Sequence, residues 1–457
     1  MDEKITPDIT RLPTPDEAVK GEIIDDDDGE VFKMTKGQTQ FRTLGVFKTV
    51  VVLVKLCFAT GVLSIPAALA VVGYGPGLVL LALWSAMTMY YAYVMFQFRM
   101  EYRGVHNIVD AAMLMGGPIA REVVTVLFLL TWILATGSGF IGLSQGLRIL
   151  ANGKGCMIMW TVVAAIATGI LSSIRTLGKL AILTWVGFAS IFTAVFIVVV
   201  GVTVVERPAA APPTGPYELG VVSVGNPGFV AGLVAALNLF SGFGSTSTFM
   251  PVIAEMRDPK SFPKSLFISQ GFLVACYMSF GMVVYMYCGV YIASPSLASA
   301  GGTLEKVAYG VSIPGFIMTS TLWVHVASKF LFVRILRNSE HLQKNSVKHW
   351  TTWLSSTIGI TILSFLIAEA VPFFNYILGF IGSICCSPTC LVIPAWMGLY
   401  LRKGDYFSSK KVMALCAFHC VTIVGGTFMA IAGTYTTVQS IVDAYASGTV
   451  SKAFTCG

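Results

Sequence analysis

Charged side chains are scarce in this chain. They make up 12% of its 457 residues, against roughly 25% in soluble globular proteins. The deficit excludes a large soluble body with a hydrated surface, and the 55% hydrophobic content needs a cover other than water. Metal-ligand clusters are missing as well: Cys385, Cys386 and Cys390 have no histidine or acidic neighbour to complete a zinc set. Eight of the ten cysteines (Cys57, Cys276, Cys288, Cys385, Cys386, Cys390, Cys416 and Cys420) lie in or beside apolar runs. They read as small core hydrophobes, and no disulfide framework is expected. The glycines Gly73, Gly75 and Gly77 around Pro76 lack the strand, helix and lysine of a phosphate-binding loop. A net charge of +7 does not mark a nucleic-acid binder, because Lys and Arg collect at the ends of apolar runs, where they act as a topology signal. No cleavable signal peptide is visible. Residues 1–45 are polar, with Pro13, Pro15 and the acid run Asp25 to Asp28, and read as a disordered cytoplasmic tail.

What fills the chain instead is a series of eleven apolar stretches, placed at 46–72, 77–98, 122–147, 157–173, 179–205, 228–252, 266–290, 312–334, 352–369, 372–400 and 411–438. Most hold about 20 residues, enough to cross roughly 30 Å of hydrocarbon as helix. Their length and continuity favour helices over the short alternating strands of a barrel. The expectation is an all-α polytopic membrane protein of eleven transmembrane helices, with a transmembrane domain over 46–438 and a short exterior or lumenal tail over 439–457. Loops on the N-terminal side carry Arg99, Arg103, Arg121, Arg175, Lys179, Arg257, Lys260, Lys264, Arg334, Arg337, Lys344, Lys348, Arg402, Lys403, Lys410 and Lys411. The other side offers only Arg148, Lys154, Arg207, Lys306 and Lys452. The excess places the N-terminus in the cytoplasm.

Spans one and six are interrupted where a plain helix should be continuous. In span one, Thr60-Gly61-Val62-Leu63-Ser64 precede Pro66, whose ring clashes with the Val62 carbonyl and which has no N–H. Span six reads Asn238-Leu-Phe240-Ser241-Gly242-Phe243-Gly244-Ser245-Thr246, followed by Pro251. Unpaired backbone is costly in lipid, so it has to line a cavity or meet a ligand. Opposed half-helix ends offer N–H groups to a carboxylate and C=O groups to an ammonium, the two charges of an α-amino acid. The two breaks are five spans apart and start from opposite sides. That is the arrangement of an inverted five-plus-five repeat with one extra helix, although the halves share no evident sequence identity. The competing reading for each break is a kink used only for packing. Phe240 and Phe243 are placed as gates or contacts to an apolar substrate side chain, with simple bundle packing as the alternative. Ser241, Ser245 and Thr246 are placed as donors to substrate, with bonding back onto their own helix as the alternative.

Ionisable groups inside the spans are few, and each is a candidate for ion coupling. Lys55 either snorkels to the cytoplasmic face, holds a gate or replaces a bound cation. His325, near the middle of span eight, is a proton-coupling candidate beside a plain packing role. Glu369, near the exterior end of span nine, is either a proton relay or an interface residue. Ser320, Thr321 and Ser328 are placed as oxygens for a sodium ion shared with span-one carbonyls.

These residues resemble the amino acid/auxin permease family, closest to its fungal neutral amino acid permeases. The resemblance rests on Gly61-Val-Leu-Ser-Ile-Pro66, Phe240-Ser-Gly-Phe-Gly244, Met250-Pro251, Glu255-Met-Arg-Asp-Pro-Lys260, Phe262-Pro-Lys264, Gly379-Phe-Ile-Gly-Ser383, Ser387-Pro388 and Ile393-Pro394, and covers about residues 40–440. It implies a LeuT-like inverted-repeat fold with broken helices one and six. It further implies transport of neutral amino acids, extending to aromatic or large aliphatic ones, by alternating access. Substrate contacts fall on Thr60 to Ser64 and on Asn238 and Phe240 to Ser245. The expected driving ion is the proton, with sodium as the alternative, and no cofactor is implied. A non-transporting amino acid sensor is the rival from another class. The expected partners are an amino acid and membrane lipid, and no nucleic acid; the sequence sets no oligomeric state. The plasma membrane is the expected location, with the vacuolar membrane as alternative.

Overall fold

The computed structural model describes residues 44–174, 177–336, 339, 341, 346–371, 373–447 and 454–456, with backbone only at 177–184. The expected tail 1–45, apart from its last two residues, lies outside them, as do Arg175, Arg337, Lys344 and Lys452. The elements are helical. Leu44 and Met256 form an isolated β-bridge.

The first apolar stretch folds as α1 (Val46–Cys57), a 3-10 turn (Thr60–Ser64) and α2 (Ile65–Val72). Then come α3 (Tyr74–Glu101), α4 (Ile108–Leu150), α5 (Met157–Ser172) and α6 (Leu177–Val204). The sixth stretch is again split, into α7 (Phe229–Ser241), a 3-10 turn (Gly244–Thr248) and α8 (Phe249–Ala254). It is followed by α9 (Phe262–Cys288), α10 (Gly302–Leu336) and α11 (Val347–Ala370). The chain finishes with α12 (Phe374–Phe380), a π-helical segment (Ile381–Val392), α13 (Ile393–Tyr400) and α14 (Lys410–Ala446). The widened π turns take up Pro388, which would otherwise break an α-helix.

Among the described residues, eight helices are long and apolar enough to cross a membrane. Two bent pairs, kinked by 45° at the first break and 42° at the second, bring the number to ten if each is one span. At 16 residues, α5 is shorter than these. The chain is therefore an integral, multi-pass, all-α membrane protein. Its outer face agrees: α14 exposes Val421, Val424, Phe428, Ile431 and Val438 at spacings of three to seven residues, a lipid-facing stripe.

Several element bounds differ from the sequence expectation. The third helix begins at Ile108 rather than 122, bending at Gly117, whose φ of 70° suits glycine, just before Pro118. Helix α10 begins at Gly302 rather than 312, and α14 runs to Ala446 rather than 438. Hydropathy marks the hydrocarbon boundary, whereas helices continue into the polar border for as long as their backbone bonds are satisfied. The expectation that the cysteines form no disulfide fails for the two outside the apolar runs. Cys156, just before α5, is bonded to Cys456.

Residues at the bridge tie the start of span one to the end of span six. The Leu44 N–H donates to the Glu255 carbonyl at 3.1 Å, and the Arg257 N–H donates to the Leu44 carbonyl at 2.9 Å.

Candidate functional site: the paired helix breaks

The two breaks touch through their backbones. A Cβ placed on Gly61 would stand 2.8 Å from the Gly242 Cα, so no other residue fits without moving main chain. Ala59, at φ −135° and ψ −130°, turns the chain out of α1 just before the 3-10 turn.

Carbonyls released at the breaks are met by side chains from neighbouring elements. The Tyr277 hydroxyl of α9 lies 2.9 Å from both the Cys57 and the Gly242 carbonyls. One phenolic proton thus serves an acceptor on each broken helix, and satisfies only one of them fully at a time. Ser245 Oγ donates to the Leu56 carbonyl at 2.6 Å, across from span six to span one. Cys390 Sγ of the π segment donates to the Gly244 carbonyl at 3.2 Å. Each 3-10 turn begins with N–H groups that have no acceptor inside the turn. The junction therefore gathers backbone polar groups at one place inside a largely apolar bundle.

The structure places the sequence candidates as follows. Thr60 Oγ1 shares a hydrogen bond with Ser138 Oγ of α4 at 3.1 Å. Ser64 Oγ folds back onto the Gly61 carbonyl at 2.9 Å, and Val62 and Leu63 are fully buried. Ser241 Oγ donates to the Asn238 carbonyl at 2.8 Å, while Asn238 Oδ1 is buried with no partner among the described residues. Phe240 packs on Trp84 at 4.8 Å between ring centroids, and Phe243 packs edge-on to Tyr277 at 5.2 Å. Gly244 faces Cys386, whose sulfur would lie 2.2 Å from an added Cβ.

Of the ion-coupling candidates, only Lys55 stands at the breaks. It is 3% exposed and does not reach the surface. Its Nζ donates to Thr319 Oγ1 of α10 at 2.9 Å and sits against Gly187 of α6, where an added Cβ would come within 3.3 Å. Ser320 and Thr321 do not share this gap. The Ser320 hydroxyl faces Gly139 of α4, and the Thr321 carbonyl lies 3.4 Å from Ser172 Oγ of α5. Ser328 is buried with no hydrogen-bond partner among the described residues, and the buried His325 ring meets Trp353 edge-on at 5.1 Å. Glu369 lies elsewhere, lining a cavity with Arg148.

Sequence reasoning missed Tyr277, Ser138, Thr319 and Cys390. Thr319 is one residue from the named pair, a matter of helix register that composition does not set. Cys390 was read as packing, yet its thiol also donates.

Comparison with known proteins gives a consistent picture. The family described as "Transmembrane amino acid transporter protein" matches residues 42–439. A "Transmembrane transporter" of Fusarium pseudograminearum is 39% identical over 430 residues, covering 93% of this chain and 90% of the relative. A "Transmembrane transporter" of Gibberella moniliformis is 39% identical over 428 residues, with coverage of 93% and 90%. The "N amino acid transport system protein" of Neurospora crassa is 29% identical over 428 residues, covering 92% and 90%.

Proposed function

Since the chain belongs to the transmembrane amino acid transporter family, we propose that it carries neutral amino acids by proton symport, using the paired breaks as its substrate site. The backbone donors and acceptors at the junction match the carboxylate and ammonium of a zwitterion. The surrounding side chains, Val62, Leu63, Phe240 and Phe243, are apolar and buried. Among the described residues, a charged substrate side chain would find no counter-charge there except Lys55. The Neurospora relative's name, an amino acid transport system protein, agrees with the substrate class.

The observation that carries the coupling reading is the hydrogen bond from Lys55 to Thr319. An ammonium already stands between α1, α6 and α10, and a sodium ion in that gap would face a like charge at close range. An amine held by a neutral hydroxyl, with no carboxylate partner among the described residues, exchanges its proton as access alternates.

The topology proposed is eleven crossings, arranged as an inverted five-plus-five repeat and one extra helix, with the N-terminus in the cytoplasm. Helix α5, at 16 residues, spans about 24 Å, short of the roughly 30 Å of a bilayer core. The Cys156–Cys456 disulfide supports its crossing. Between the two cysteines lie α5, α6, the second bent pair, α9, α10, α11, the α12–α13 segment and α14. Their number is even, returning the chain to the same face, only if α5 is included. Disulfides persist in oxidising compartments, so this face is the exterior or an organelle lumen.

The test is uptake of a panel of amino acids by the purified protein in proteoliposomes, under separately imposed proton and sodium gradients. Neutral amino acids should accumulate under an inward proton gradient. Accumulation driven by sodium alone, or preference for charged amino acids, overturns the proposal.

A further inference from the structure

A cavity of about 410 Å³ opens at the Arg148 end of α4, beside the Cys156–Cys456 disulfide. Its volume falls within the roughly 300–1,000 Å³ of small-molecule sites. Glu369 of α11 and Arg148 of α4 both line it. Glu369 is 6% exposed, yet it has neither hydrogen bond nor ion pair among the described residues. Asn375 also lines the cavity, and its Oδ1 is buried and unpartnered among the described residues. A carboxylate that faces a cavity with no partner among the described residues is available to a cationic ligand there.

The position is informative too. Ser138, which holds Thr60 at the first break, Ile141, Gln145 and Arg148 recur every three or four residues along one face of α4. The cavity therefore lies on the same face as the break, with Arg148 about 15 Å further along the helix axis. One wall is Phe454–Cys456, secured to the start of α5 by the disulfide.

We propose that this cavity is a second amino acid site, in series with the breaks on the exterior route, in which Glu369 binds the ammonium and Arg148 the carboxylate. Opposite charges that face one cavity without pairing with each other suit a ligand that carries both signs. Asn375 adds a neutral acceptor for the ammonium. The side chain of the amino acid rests against Ile141 and Phe374. The proposal rests on the amino acid transport reading above.

The test is equilibrium binding of labelled L-leucine to the purified full-length protein, alongside uptake in proteoliposomes. Wild type should bind two leucines per chain. Glu369→Gln and Arg148→Gln should each bind one, and the KM for uptake from the exterior should rise at least fivefold. Lys154→Gln, which removes an exterior cation outside the cavity, should bind two. A size-exclusion profile matching wild type confirms that each variant is folded. Decarboxylated leucine, an amine only, should lose the exterior site in Glu369→Gln and keep it in Arg148→Gln, a distinction that a purely structural role for either residue would not produce. One leucine per chain in wild type, unchanged in both cavity variants while uptake proceeds, overturns the second site and leaves the transport reading intact. Two leucines per chain without uptake supports the site and counts against transport.

Discussion

Gly61 is the residue on which the junction turns. A methyl group there would meet main chain, which cannot rotate away as a long side chain does. Gly61→Ala is expected to push the two breaks apart and weaken substrate binding at least tenfold, or about 1.4 kcal/mol. Gly359→Ala, where an added Cβ meets nothing within 4 Å, should leave the KM for uptake unchanged. Equal KM values for the two variants would remove Gly61 from the site. A second residue-level prediction concerns His106, in the loop between α3 and α4. Burial, then the positive charges of Arg99 and Lys329, push its pKa down from 6.5 to about 4. The folded protein keeps this imidazole neutral, whereas the unfolded chain takes up a proton as pH falls below about 6.5. Its contribution to stability is therefore full above that pH and is lost progressively toward pH 4, by up to about 3 kcal/mol. His106→Asn should flatten the fall in melting temperature of the detergent-solubilised protein between pH 6.5 and 4.5. A slope identical to wild type would show that the imidazole does not control it.

At the scale of elements, the two bent pairs were legible because Gly, Ser, Thr and Pro interrupt apolar runs in both, and the structure breaks the chain at those places. Less legible was what answers the released carbonyls. Tyr277, Ser245 and Cys390 come from three different elements, and no local pattern announces a contact made across the bundle. Register was equally hidden: Thr319 and Ser320 differ by one residue, about 100° around α10, and only the former meets Lys55. The early start of α4 escaped because hydropathy marks only the apolar part of the helix, while the chain bends at Gly117 and Pro118 and goes on. The disulfide escaped because hydropathy sorts cysteines by burial and does not pair them. It now gives a direct check on the helix count. After reduction, a membrane-impermeant maleimide applied to intact cells should label both Cys156 and Cys456. Labelling of only one would put them on opposite faces and remove α5 from the crossings.

For the whole molecule, an apolar outer surface and a polar junction divide the work. The α14 stripe sits in lipid, while the backbone polarity that lipid would reject is gathered where α1, α7, α9 and the π segment meet. The β-bridge between Leu44 and Met256 joins the start of the first broken span to the end of the second, so those two ends are linked. In the proton symport proposed above, Lys55 takes the place a coupling cation would need. The measurement that tests this most directly compares wild type with Lys55→Met in proteoliposomes, following labelled leucine both by gradient-driven accumulation and by exchange against internal leucine. The account predicts that Lys55→Met retains exchange but no longer accumulates leucine under an inward proton gradient. Wild-type accumulation by that variant, still dependent on the proton gradient, would contradict it.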